Sequence, residues 1–287
     1  MTGRVGAVVF DVLETLLDLD PIGERLEEVG QPAAVLGPFF MRFQRDAMAL
    51  TLAGEFADFT ATARQALRTE TRQTMSEDAI DHVLRGFAEA PAFPDAAPAL
   101  RRLSEAGVPV GCLTVGDPDN TRAFLAGAGL DRYVDQVVTC DVVGVWKPAP
   151  QVYRFAAEAL DCELARMALV AVHAWDCHGA KKAGALAGWC SRLEGEPGER
   201  CSSRPTSVVT TSSRSSTGCW PWHHRAHDTT WGAGDRWLRL LRHRRRAGGD
   251  QPGARGRHRG RLHGPAPGHA GPRARRPAGA RRRPGGP

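Results

Sequence analysis

Four polar residues of this sequence lie where apolar, strand-like segments end. Asp11 follows VVF, Thr114 ends VPVGCLT, Lys147 lies in the loop GVWKPAP, and Asp176 comes shortly after ALVAV, in HAWDCHGA. Thr15 stands four residues after Asp11. Because the carboxyl ends of parallel strands meet at one edge of a sheet, where ligands bind, we expect these side chains to come together.

Such a group of side chains suits nucleophilic catalysis by an aspartate. Asp11 would form an ester with the substrate, and water would then hydrolyse that ester, which splits one difficult step into two. Lys147 would favour the ionised carboxylate and stabilise negative charge on the substrate. Asp176 would orient the lysine or activate the water. Taken singly, each residue also has an ordinary structural explanation as a turn, cap or surface residue, so it is their combination that favours catalysis.

Strand-like and helical segments alternate through most of residues 93–195, after a first strand at Val5–Phe10. The expected strands are Val108–Val115, Val137–Thr139, Ala168–Val172 and Gly188–Cys190, and the expected helices are Ala96–Ala106, Asn120–Ala128, Gln151–Leu160 and Gly179–Ala183. Val5–Phe10 is mostly apolar, which is typical of a central strand buried on both faces. The alternation predicts a doubly wound, Rossmann-like α/β core with a parallel sheet.

Residues 17–92 have helical spacing instead. Apolar positions recur every three or four residues in Pro32–Ala53, Phe56–Thr69 and Ser76–Glu89, and Ser76 followed by two acidic residues is a typical helix start. We therefore predict a helical cap of residues 17–92, inserted after the first strand, and a core made of residues 1–16 and 93–195.

The four motifs, in this order, resemble those of the haloacid dehalogenase superfamily of hydrolases. The resemblance covers about residues 4–195. FDVLETLLDL, the WKPAP loop and HAWDCHGAKKAG are most similar to the type II branch, the 2-haloacid dehalogenases.

The resemblance implies an activity without a cofactor. Asp11 would attack C2 of an (S)-2-haloacid or a related carboxylate, expel halide and form an ester, whose hydrolysis gives a 2-hydroxy acid. Lys147 and Asp176 would support the nucleophile and the water. Thr15 and Thr114 would hydrogen-bond the carboxylates. The branch also places a tyrosine near the site, here Tyr153, and we expect Tyr153 and Trp175 of the last motif to bind substrate.

A Mg²⁺-dependent phosphatase of the same superfamily is the alternative enzyme. The superfamily's phosphatases carry a second aspartate two residues after the nucleophile as proton donor, where this chain has Leu13. They also hold Mg²⁺ with acidic residues of the fourth motif, where Asp176 here stands alone after Val172 and His173. Since Mg²⁺ needs several oxygen ligands, both differences favour the branch without a metal.

The chain also departs from the dehalogenase branch. The branch's substrate-binding arginine aligns with Phe40, and we expect the nearby Arg42 or Arg45 to replace it. Val115 stands where these enzymes carry asparagine. Ala171 and His173 stand in place of a serine and an asparagine. His173 would bind substrate, or pack as a structural histidine at a strand end.

Charge divides the chain into two unlike parts. Residues 1–200 carry 19 Lys and Arg against 29 Asp and Glu, whereas residues 201–287 carry 19 Arg and three Asp. Runs such as Arg244–Arg246, together with Trp220, Trp222 and Trp231, would suit binding of nucleic acid. That is a third function class, in which residues 196–287 form a disordered RNA-binding tail.

A frameshift is the explanation of the tail that we favour. Back-translating Arg204–Trp222 with GC-rich codons and reading from the third base gives ADVGGDDLVEVVDGLLAL, which has Leu and Val at helical spacing. This text resembles the C-terminal helix of the dehalogenase branch. We therefore predict a frame change within Glu194–Arg204, after which the positive charge has no selected function and no nucleic-acid partner is implied.

The remaining features concern compartment and assembly. The seven cysteines form no CxxC pair, which favours a reducing, cytoplasmic compartment. No apolar stretch suits a signal peptide or a membrane span, so we expect no membrane partner. The expected partner is a small-molecule substrate, and the branch is compatible with a homodimer.

Overall fold

A computed structural model describes residues 5–194 and the backbone of residues 207–209. Six parallel strands form one sheet in the order β3-β2-β1-β4-β5-β6. They are β1 (Ala7–Phe10), β2 (Val110–Thr114), β3 (Gln136–Thr139), β4 (Met167–Ala171), β5 (Leu186–Cys190) and β6 (Ser207–Val209). The first strand is buried on both faces, as its run of apolar residues predicts.

The order in which strands are added to the sheet reverses at β1. From β1 the chain first adds β2 and β3 on one side, and later β4 and β5 on the other. Phe10 pairs with both Cys112 and Val170, and the Asp11 N–H donates to Val170 O at 2.9 Å. The ends of β1 and β4 therefore lie side by side, at the switch point where α/β sheets bind ligands.

Helices of the core cover the sheet between its strands. They are α5 (Ala96–Glu105), α6 (Pro118–Gly127), α7 (Cys140–Val143), α8 (Pro150–Ala159) and α9 (Ala174–Ala183). Because crossovers between parallel strands are right-handed, the reversal at β1 puts helices on both faces, and the predicted doubly wound fold is confirmed.

Of the α-helices between β1 and β2, four lie within residues 17–92, the range that we predicted as a cap. They are α1 (Asp20–Glu28), α2 (Leu36–Ala53), α3 (Phe59–Glu70) and α4 (Glu77–Glu89). Helix α1 is additional to the three predicted there; Pro21 lies in its first turn, and it buries Ile22 and Leu26. Phe43 of α2 packs edge-on against Phe59 at 5.1 Å and against Trp146 of the core at 5.6 Å. These rings join the cap helices to the core.

Two boundaries differ from the predicted ones. Helix α9 begins at Ala174, not near Gly179, so Asp176 lies inside its first turn and does not precede it. The sheet also extends past residue 195, because Val208 of β6 pairs with Trp189 of β5. The rest of the predicted tail, residues 196–206 and 210–287, lies outside the described residues, and so does the proposed frame change after Glu194.

Within the described residues, no helix has both the length and the apolar character that crossing a membrane requires.

Candidate active site

One ammonium group joins the two predicted carboxylates. Lys147 Nζ donates to Asp11 Oδ1 at 3.0 Å and to Asp176 Oδ2 at 2.8 Å. All three side chains are buried, with 0% exposure for Lys147 and Asp176 and 5% for Asp11. Because a buried charge is costly unless it is paired, the single ammonium of Lys147 offsets the burial of the carboxylates on both sides of it. The sequence prediction that these residues meet is confirmed by the geometry.

The loop that carries Lys147 is held by the cap. Trp146 is fully buried, and its backbone N–H donates to Thr51 Oγ1 of α2 at 2.9 Å. Its ring stacks on Phe56 at 5.3 Å. Since Lys147 is the next residue, these contacts set where its side chain enters the site.

Thr15 ties the loop after β1 to the end of β4. Its hydroxyl donates to Asp11 Oδ2 at 2.7 Å and accepts from the Val172 N–H at 3.1 Å. Each oxygen of Asp11 thus has one donor, Lys147 on Oδ1 and Thr15 on Oδ2. These donors prefer the ionised carboxylate and define its orientation.

Both oxygens of Asp176 are engaged as well. Oδ2 accepts from Lys147, and Oδ1 accepts from the Tyr153 hydroxyl at 2.6 Å. Gly179 allows this close packing, because a Cβ at that position would lie 2.6 Å from the Tyr153 oxygen and 2.5 Å from Pro148 Cβ. Tyr153 is fully buried behind Asp176. The structure therefore corrects its predicted role: Tyr153 orients Asp176 and does not face substrate.

The pKa values of the two carboxylates are shifted in opposite directions. Burial raises the pKa of Asp11, but the Lys147 charge and the His173 and Thr15 contacts outweigh burial and hold it well below its usual range. Burial raises the pKa of Asp176, and the neighbouring Asp11 charge adds to that effect against the pull of Lys147. The pKa of Lys147 is raised, because both carboxylates outweigh its burial. Asp11 is thus the more strongly ionised acid, which is the state in which a carboxylate can act as a nucleophile.

His173 lies on the other side of Asp11 and forms a second charged group. Its Nδ1 lies 3.8 Å from Asp11 Oδ2, and its Nε2 lies 2.9 Å from Glu14 Oε2. Burial lowers the pKa of His173, but the contacts with Asp11 and Glu14 prevail and raise it to about 10. His173 is therefore a cation at neutral pH.

Helix α2 of the cap contacts His173. The Gln44 amide nitrogen lies 3.3 Å from His173 Nε2. The Phe40 ring centroid lies 6.5 Å from the imidazole, and Trp175 packs on it at 5.4 Å. His173 is thus the point where the end of β4, the loop after β1 and helix α2 meet.

Three of the residues predicted to bind substrate make other contacts instead. The Arg42 guanidinium is bonded to Glu70 of α3, and Arg45 pairs with its neighbour Asp46. Position 42 is about 200° around α2 from Phe40, so Arg42 faces the cap and does not replace the aligned arginine. Thr114 is fully buried, and its hydroxyl accepts from the Gly116 N–H at 2.9 Å, where we expected a bond to a carboxylate.

Sequence reasoning missed Glu14 and Gln44. Glu14 adopts a left-handed backbone conformation, with φ of 63°, which turns the chain sharply after β1. Gln44 could have been found, because it lies one helical turn after Phe40, the position that aligns with a substrate-binding residue.

Leu13 is buried. It lines a cavity of about 10 Å³ with the apolar residues Val12, Leu17, Phe59 and Phe87 and with Gly116, Asp117, Asn120 and Thr121, a space that suits about one water molecule. The hydrocarbon side chain at position 13 offers no proton donor to a leaving group. Among residues 5–194, no cluster of three or more His, Cys, Asp or Glu side chains could hold a metal ion.

Comparisons with known proteins agree with this geometry. Residues 5–184 match the family of haloacid dehalogenase-like hydrolases. The (S)-2-haloacid dehalogenase 4A of Burkholderia cepacia is 32% identical over 189 residues, which are 64% of this chain and 82% of that protein. A dehalogenase crystallised with an intermediate complex is 29% identical, with a TM-score of 0.66, over 73% of this chain and 94% of that one. The L-2-haloacid dehalogenase of Xanthobacter autotrophicus with covalently bound chloropropionic acid is 25% identical, with a TM-score of 0.65, over 71% and 94%.

Proposed function

We propose that this chain, which belongs to the family of haloacid dehalogenase-like hydrolases, hydrolyses the carbon–halogen bond of small (S)-2-haloacids to halide and 2-hydroxy acids. The observation that carries the proposal is the ammonium of Lys147 between Asp11 and Asp176, at 3.0 and 2.8 Å. It makes Asp11 an ionised, buried nucleophile without a metal ion at that position.

In the first step, an Asp11 oxygen bonds to C2 of the haloacid as the carbon–halogen bond breaks. The halide leaves with the bonding electron pair, and it needs no proton because it is a stable anion. An alkoxide leaving group, by contrast, needs a proton donor. Because the hydrocarbon side chain of Leu13 cannot donate a proton, position 13 suits a halide better than the alcohol that a phosphatase releases.

In the second step, water attacks Cγ of Asp11 and the ester breaks. Negative charge develops on the former carboxylate oxygens, where Lys147 and Thr15 already donate at 3.0 and 2.7 Å. Such fixed donors stabilise the tetrahedral intermediate. Collapse of that intermediate releases the 2-hydroxy acid and restores Asp11.

The substrate is an anion, and the cation of His173 lies beside the nucleophile. Together with Trp175 it forms the wall of the site toward the cap. His173 and Trp175 thus take over the substrate binding that we first assigned to Arg42, because the Arg42 guanidinium is bonded to Glu70.

We also propose a cytoplasmic compartment and a homodimer. Cys112, Cys140, Cys162 and Cys177 are free thiols, which supports a reducing, cytoplasmic compartment. A homodimer would be recognised by its mass in solution, and the reaction needs no nucleic-acid partner.

The proposal is tested by an activity panel. The full chain is assayed with (S)-2-chloropropionate and with a generic phosphate ester, each with EDTA and with Mg²⁺, and Asp11→Asn serves as the inactive control. We expect halide release that EDTA does not change. Phosphate release that requires Mg²⁺, without halide release, would instead establish the phosphatase.

A further inference from the structure

The water that hydrolyses the ester needs a base, and Asp176 is poorly placed to be that base. Its side chain has 0% exposure, and its two oxygens accept from Lys147 and Tyr153 at 2.8 and 2.6 Å. A proton from water could bind to either oxygen only if the hydrogen bond that this oxygen accepts from Lys147 or Tyr153 were lost. Of the two roles that we predicted for Asp176, orienting the lysine or activating the water, these contacts favour the first.

We propose that His173, oriented by Glu14, is the general base for hydrolysis of the Asp11 ester. The inference rests on the proposed function. It adds one residue that touches the water, His173, and one positioning residue, Glu14. Nothing in the resemblance implies either role, because position 173 departs from the asparagine of the branch.

The geometry of the imidazole supports this role. Glu14 lies 2.9 Å from Nε2, so in the neutral ring Nε2 carries the proton and Nδ1 has the free electron pair. Nδ1 faces Asp11 Oδ2 across 3.8 Å, beyond direct hydrogen-bond length. A base whose other nitrogen is held by a carboxylate, beside the nucleophile, is the arrangement that activates a reacting oxygen.

The charge of Asp11 determines when His173 can act as a base, which is after the ester has formed. While Asp11 is ionised, it and Glu14 keep His173 protonated, with a pKa of about 10. Formation of the ester removes the Asp11 charge, so the pKa of His173 falls and its proton leaves to solvent past Glu14, whose side chain is 19% exposed. The other groups around the ring are Lys147 beyond Asp11, neutral Gln44, and Glu194, which accepts from the Ala174 N–H.

The proton balance of the cycle then closes. Nδ1 takes a proton from water as the water oxygen bonds to Cγ of Asp11. The bond from Cγ to the substrate oxygen breaks, and His173 gives that proton to the departing alkoxide. The carboxyl group left on Asp11 returns its own proton to His173, which restores the starting ion pair. The net products are the 2-hydroxy acid, halide and the one proton released earlier.

Rapid-quench kinetics with (S)-2-chloropropionate tests the assignment on the full chain. Halide release reports ester formation, and mass spectrometry of the Asp11 peptide reports the ester. With substrate at saturation, which offsets weaker binding after loss of the His173 cation, we expect His173→Asn to release about one halide per site and then accumulate ester, with hydrolysis slowed by about 100- to 10,000-fold. We expect Glu14→Gln to slow hydrolysis less and to shift its pH profile to lower pH. His82→Asn is the matched control, because it breaks a His–Glu pair with Glu28 on the cap surface and should leave both steps unchanged.

A second measurement uses the unaltered chain, so that the test does not depend on folding of the variants. The hydrolysis rate constant should rise with pH through one ionisation that lies below about 10, the pKa of His173 in the free enzyme. A pH-independent hydrolysis step, or equal slowing of both steps in His173→Asn, would overturn the assignment while halide release still supports the proposed function. Absence of halide release from the unaltered chain would overturn both.

Discussion

Replacing Lys147 by methionine removes the ammonium from between two buried carboxylates while keeping a long apolar side chain. Breaking a buried ion pair by removing one partner costs about 3–5 kcal/mol, and here two carboxylates lose their shared partner. Thr15 and Tyr153 continue to donate to them, so we expect about 3–5 kcal/mol at neutral pH and not twice that amount. This is a large part of the stability of an ordinary domain, about 5–15 kcal/mol.

The stability that Lys147→Met loses should be larger at neutral pH than in acid. In the unaltered chain the pKa of Asp11 is lowered, so its contribution is present above the ordinary value of 3.8 and is lost on acidification. In Lys147→Met, burial and mutual repulsion raise both carboxylate pKa values. The variant then binds protons more tightly when folded, and its stability decreases as pH rises above about 3.8. The difference between the two proteins should therefore shrink in acid.

Urea unfolding at a series of pH values, followed by tryptophan fluorescence, measures this difference. Lys182→Met is the matched control, because Lys182 is exposed on α9 and its replacement should change stability by no more than about 0.5 kcal/mol. A loss in Lys147→Met below about 1 kcal/mol, the range of surface ion pairs, would refute the argument. So would a loss that is the same at every pH.

Three further predictions concern other parts of the chain. Thr15→Val should lower the rate constant of ester formation by about 10-fold, because one charge-assisted hydrogen bond is worth about 1.5–3 kcal/mol and only part of it is specific to the transition state; an unchanged rate constant in rapid-quench assays would contradict this. Arg42→Met should leave KM for the haloacid unchanged, because Arg42 is bonded to Glu70; a large rise in KM would show that Arg42 binds substrate. Resequencing codons 190–225 should reveal a frame change, and the restored chain should gain roughly 6–15 kcal/mol from a helix that buries four or five Leu or Val side chains; a confirmed frame with a protease-resistant tail would remove that prediction.

The fold and the grouping of Asp11 with Lys147 and Asp176 could be predicted because their signals are local. A run of apolar residues that ends at a polar one identifies a buried strand and its carboxyl end, as with Val8–Phe10 and Asp11. Parallel strands then bring Lys147 and Asp176 to the same edge without any knowledge of side-chain packing. Ser76 was equally readable: its hydroxyl accepts from the Ala79 N–H at 3.2 Å, as the cap of α4.

What could not be predicted depends on orientation. A two-residue offset along α2 turns Arg42 away from the site, although it lies close to Phe40 in the sequence. The left-handed conformation of Glu14 has no glycine or asparagine to signal it, yet it brings a carboxylate to His173. The contact between Tyr153 and Asp176 depends on how closely α8 and α9 pack at Gly179, which the sequence pattern does not specify.

The central claim is that Asp11 forms the covalent bond, and a single turnover in water labelled with the heavy oxygen isotope tests it most directly. With enzyme in excess over (S)-2-chloropropionate, hydrolysis at Cγ must place the solvent oxygen in the Asp11 carboxylate. We predict that the Asp11 peptide gains the mass of one heavy oxygen and that the 2-hydroxy acid stays unlabelled. A labelled product with an unlabelled Asp11 peptide would mean that water attacks the substrate directly, and would contradict the account.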